Sequence, residues 1–146
     1  LAIQDGYSIQ ALGEAIRFRG SLPENIKEVA ICAVGAYYRS KFEFAAHRRL
    51  AKLAGVNEKA LVQLVAGDEP DLAGDELLAF TIASQMVNQH SLMDETYWLG
   101  VQAFGETGMI ELTATIGYYC LISLTLNTFR IPLTDGMQDP FPEDSG

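Results

Sequence analysis

The run LTATIGYYCLISLTLNTF, residues 112–129, carries no charge between Glu111 and Arg130. A segment of this kind must either cross a membrane or be shielded from water by protein, and its length sits at the lower limit for a span. Four threonines, a serine and an asparagine interrupt it, and its flanks lack a positive-inside bias. The expectation is a central helix covered on all sides, in part by another subunit, and no membrane span.

The rest of the chain reads as helices punctuated by Gly, Pro and capping residues, with no alternating strand pattern. A first helix is expected over 8–18, with Ile9, Leu12, Ala15 and Ile16 as its apolar stripe. SLPE, residues 21–24, has the form of a capping box with Pro near the first helical position. The helix it launches repeats apolar residues from Ile26 to Tyr37 at i, i+3, i+4. A third helix runs from about Ser40 to Gly55, and Asn57 can cap a fourth that stops at Gly67. After the acidic loop DEPDLAGD, residues 68–75, come a helix to about Gln89, one capped by Asp94 and ending at Gly105, and the apolar helix from about Met109 to Phe129. The expected unit is one all-α domain of six to seven helices over residues 1–134, followed by an acidic, Pro-rich tail over 135–146, extended or draped over a neighbour.

At 146 residues the chain suits one domain, and 49% apolar with 20% charged residues is a globular composition. A net charge of −9 opposes binding to nucleic acid or to anionic membranes. Cys32 and Cys120 form neither a CxxC pair nor a zinc spacing, so both are expected as reduced core thiols of a cytoplasmic protein. No secretion signal is visible at the start, and the lack of an initiator Met leaves open whether residues precede Leu1.

Chemistry concentrates in RSKFEFAAHRRLAKLAG, residues 39–55, which holds His47 and half of the ten Lys and Arg residues. Glu43 and His47 are i, i+4 and share a helix face, a pairing that can hold an imidazole near neutrality for general acid–base work. An ordinary explanation stands beside this one: Ser40-x-x-Glu43 is itself a capping box, with His47 simply packed and hydrogen-bonded. Arg39 and Arg48 are the better candidates for holding a substrate charge, whereas Lys41 and Lys52 suit a solvated face. His90 fits a helix C-terminus, and Tyr118 and Tyr119 are expected in the core. With no G-x-S-x-G, phosphate loop or HExxH, neither metal nor cofactor is expected.

The stretch EVAICAVGAYYRSKFEFAAHRRLAKLAGVNEKALVQL, residues 28–64, resembles the carboxymuconolactone decarboxylase and alkyl hydroperoxidase D-like (AhpD-like) proteins. RFRGSLP before it and GMIELTATIGYYCLISLTLNTFRIPL after it extend the resemblance more weakly. The resemblance implies an all-helical fold that assembles as a homotrimer or homohexamer. In the peroxidase branch two cysteines stand seven and four residues before the histidine, with a glutamate twelve before the first cysteine. Those positions hold Ser40, Glu43 and Glu28 here, with His47 as the histidine. Both sulfurs are missing, so a thiolate–disulfide cycle is not expected.

The lactone-decarboxylase branch, which belongs to aromatic compound catabolism, resembles this chain at Glu43. The resemblance therefore implies a cofactor-free lyase acting on a small anionic carboxylated or lactone metabolite. His47 would be its general acid or base, Glu43 would orient it, and Glu28 would be a second carboxylate. Arg39 or Arg48 would hold the substrate carboxylate, and Ser40 could donate a hydrogen bond. The alternatives are a non-catalytic helical oligomer and, more weakly, an antioxidant protein using Cys32 or Cys120.

Overall fold

The computed structural model describes residues 2–145. Leu1 and Gly146, at the outer ends of the two expected segments, lie outside the described residues. Six α-helices follow one another among the described residues: α1 (Ala2–Phe18), α2 (Glu24–Tyr37), α3 (Lys41–Leu53), α4 (Glu58–Ala66), α5 (Gly74–Gln89) and α6 (Asp94–Thr128). A short 3-10 turn, Pro142–Ser145, closes the chain. No strand occurs among the described residues, which matches the all-α expectation.

The centre is α2, which packs against α3, α4, α5 and α6. Every residue from Ile26 to Gly35 is buried, including Lys27 and Glu28. A helix covered on so many sides needs an apolar surface all round, and VAICAVG supplies one. The charged pair inside it must then find partners, because an unpaired buried charge is expensive.

Helix α6 breaks at Gly105, whose φ of 70° and ψ of 172° are not helical, so the expected pair of helices is present as two segments, 94–104 and 106–128. A glycine accepts this positive φ without Cβ strain. Within one chain the charge-free helix is not covered on all sides. Met109, Leu112, Thr115, Ile116, Tyr119 and Ser123 form one buried stripe against the core, while Ile110, Leu121 and Leu124 remain exposed. By length and composition alone α6 could cross a membrane, but its buried stripe lies in the same hydrophobic core as α2.

Several local readings change in the fold. In α1 the expected stripe is only partly used: Ile16 is buried, whereas Ile9 and Leu12 are exposed. The helix instead approaches α6 through Gly13, where an added Cβ would lie 2.3 Å from the Tyr118 hydroxyl. Ser21 does not cap α2. Its N–H and hydroxyl both bond the Glu111 carboxylate, which also accepts the Leu22 N–H and so ties the α1–α2 turn to α6. Met93, not Asp94, occupies the N-cap of α6. Asn57 caps α4 as expected, its side chain accepting from the Lys59 N–H.

The acidic tail packs back onto the start of α3. Phe141 is 1% exposed and meets Phe44 edge-on at 5.6 Å. The Arg39 guanidinium lies 4.5 Å above the Phe141 ring and forks onto Asp144, and Lys41 pairs with Asp139 at 3.0 Å. Apolar burial therefore holds a segment that reads as acidic and extended in sequence.

Candidate functional site

Helices α2 and α3 are joined by a turn in which Arg39 takes a left-handed conformation, φ 48°. This reverses the chain and lays the first two turns of α3 beside Glu28. The imidazole of His47 stands between two carboxylates: Nδ1 is 2.6 Å from Glu28 Oε2, and Nε2 is 2.8 Å from Glu43 Oε1. Glu28, Glu43 and His47 are each 6% exposed.

This arrangement decides between the two readings of Glu43. Ser40 is the N-cap residue of α3 by position, but its side chain makes no capping hydrogen bond. Its hydroxyl is buried and finds no hydrogen-bond partner among the described residues, as is also true of Ser123. Glu43 turns toward His47 instead of back to Ser40. A charge-assisted bond to a buried imidazole is stronger than a cap to a neutral backbone N–H.

With a carboxylate on each ring nitrogen, both nitrogens carry protons that are donated outward. Burial opposes the charge on His47, but the hydrogen bonds to Glu28 and Glu43, with their negative fields, outweigh it and raise its pKa to about 9. The group is therefore an imidazolium at neutral pH. Two carboxylates and one cation leave the cluster with a single excess negative charge.

The cluster borders two cavities. One, of about 470 Å³, is lined by Glu43, His47, Tyr118, Tyr119, Phe42 and Arg17, among others. The other, of about 350 Å³, lies on the Glu28 side and shares Arg17, Phe18 and Leu50 with the first. Tyr119 meets the His47 ring edge-on at 4.9 Å, and Tyr118 stands at right angles to Tyr119. Burial, reinforced by the Glu43 carboxylate, raises both phenols above their ordinary value, so they remain hydrogen-bond donors. The two tyrosines thus line a cavity as well as packing against the core.

Not every candidate joins this cluster. Arg39 faces Asp144 and Phe141, and with Ser40 it borders a different cavity of about 690 Å³ beside the C-terminal segment. Arg48 reaches Glu58 at 3.5 Å and does not line the His47 cavity. The cation that does line it is Arg17, from the last turn of α1. No periodicity or spacing links residue 17 to residue 47, so sequence reasoning could not have found it.

Sulfur is poorly placed for chemistry. Cys32 is fully buried, and burial together with Glu28 and Glu43 holds its thiol well above its ordinary value. Burial also raises the thiol of Cys120, which lies beside Tyr38. Both cysteines are free. No group of His, Cys, Asp and Glu suited to a metal ion occurs among the described residues.

No family model matches the sequence, and no curated protein matches it. The structure is similar to the crystal structure of a protein of unknown function from Agrobacterium tumefaciens, provisionally described as the antioxidant defence protein AhpD. The likeness has a TM-score of 0.75 and covers 90% of this chain and 91% of that one, at 14% sequence identity. At that identity it is a likeness of architecture, and it extends over nearly the whole of both chains. The chain has the all-helical AhpD-like fold.

Proposed function

We propose that the protein is a cofactor-free acid–base enzyme of the decarboxylase-like lyase class, acting on a small carboxylated or lactone metabolite. The observation that supports this most directly is an imidazole held between two buried carboxylates on the wall of a cavity. Perturbed titratable groups beside a cavity are candidates for proton transfer.

In this reading His47 stores the proton. As carbon dioxide leaves a substrate, the electron pair of the broken bond stays on carbon and takes up a proton. That proton comes from His47 Nε2 by way of Glu43, which shares it and lines the cavity. Glu28 holds the other ring nitrogen and fixes the ring orientation. The exposed Leu121, Leu124 and Phe129 support assembly as a homo-oligomer, whose partner would cover them.

An antioxidant role, suggested by the description of the Agrobacterium protein, is the second reading. It needs a thiolate, and the raised thiols of Cys32 and Cys120 weigh against it.

The test is release of carbon dioxide from a panel of small lactone and unsaturated carboxylic acids, followed by the His47→Gln variant on any substrate found. Glutamine keeps a polar group between the carboxylates where alanine would leave them unpaired. The expected result is a fall in kcat of roughly a hundredfold or more with little change in KM. Full turnover by His47→Gln would remove the acid–base role.

A further inference from the structure

The excess negative charge of the Glu28–His47–Glu43 cluster has a consequence for what can bind beside it. An anion entering the 470 Å³ cavity meets that charge at short range, so it needs a cation of its own. Most cations near the site are committed. Lys27 is buried and pairs with Glu24 at 2.7 Å, Arg39 with Asp144, and Arg48 and Lys52 with Glu58.

Arg17 makes no ion pair among the described residues. Its guanidinium lies 5.0 Å from the Phe18 ring centroid, and the residue lines both cavities that flank the cluster. Its backbone is tied down at the same time: Lys27 Nζ donates to the Arg17 carbonyl at 2.9 Å. A buried lysine thus holds the end of α1 against α2 and leaves the arginine side chain at the cavity edge. Phe42, Leu50, Tyr119 and Ile122 provide an apolar wall in the same space. A planar, permanently charged fork beside apolar walls suits a carboxylate carried on an apolar or aromatic body.

We infer that Arg17 is the residue that anchors a carboxylate of the substrate other than the one lost as carbon dioxide, and that the apolar body carrying it lies against α3 and α6 beside Glu43. This deepens the proposed acid–base function and rests on it. It moves substrate recognition from Arg39 and Arg48 to α1, a helix that packs mainly against α6.

Benzoate is the probe, with benzamide as its neutral match, each titrated by calorimetry and by the histidine ring and tyrosine signals in NMR. Wild-type protein is expected to bind benzoate saturably and to shift the signals of His47 and Tyr119. Arg17→Met should weaken benzoate by at least about tenfold, the loss expected for a charge-assisted contact, and leave benzamide unchanged. Arg17→Lys should recover part of the affinity. Equal benzoate affinity in wild type and Arg17→Met overturns the inference, as does an equal loss of benzamide or a lack of saturable benzoate binding. The two proposals fail separately: full turnover by His47→Gln removes the acid–base role, whereas equal benzoate affinity in wild type and Arg17→Met removes only the Arg17 anchor.

Discussion

His47 donates from Nδ1 to a glutamate on another helix, Glu28, at 2.6 Å, and the two residues stand 19 apart in the chain. The matching bond from Nε2 to Glu43 stays within one helix, at i, i+4. The site is therefore half local and half tertiary. The tertiary half ties α3 to the buried centre of the molecule.

That relationship makes stability depend on pH. The unfolded imidazole titrates at its ordinary 6.5 and the folded one at about 9, so the folded state binds the proton more tightly. The stabilisation is full below pH 6.5 and is lost as pH rises through 9. Its size is on the order of 3 kcal/mol. Urea midpoints of the wild type should fall between pH 7 and pH 9.5 relative to those of His47→Gln. A constant difference between the two proteins across that range would refute the coupling. Glu28→Gln should move the loss to lower pH, because one of the two carboxylates that raise His47 is then neutral.

The tail is predicted to be a structural part of the domain. Phe141→Ala removes a fully buried ring from its contact with Phe44 and Arg39, which should cost about 3–5 kcal/mol. Urea denaturation measures this directly. Limited proteolysis should show cleavage near Asp139 in the variant and protection in the wild type. An unchanged midpoint would mean that the tail is only laid on the surface.

Alkylation separates the cysteines. A small thiol reagent at pH 7.5 should modify Cys120 slowly and Cys32 only on unfolding, since burial raises both thiols and covers Cys32 completely. Mass spectrometry after timed exposure gives the order. Rapid modification of Cys32 in the folded protein would contradict the described packing and strengthen the antioxidant reading.

Sequence periodicity alone determined the helical class, the short cap at Asn57 and the break at Gly105, because these follow from backbone hydrogen bonding over a few residues. It also placed Glu43 and His47 on one face, since 3.6 residues per turn brings i and i+4 together. It could not decide whether Glu43 would cap Ser40 or hold His47, because Glu43 stands three residues after the one and four before the other, and both spacings fall within about one helical turn. Burial of the imidazole beside Glu28 decided that. Likewise Arg17 and Arg39 look alike as sequence. Only the packing of α1 over the cavity, and of Phe141 under Arg39, sent one cation to the site and the other to the tail. Contacts between helices depend on how whole faces are buried together, and that information is spread over the chain instead of residing in any local spacing.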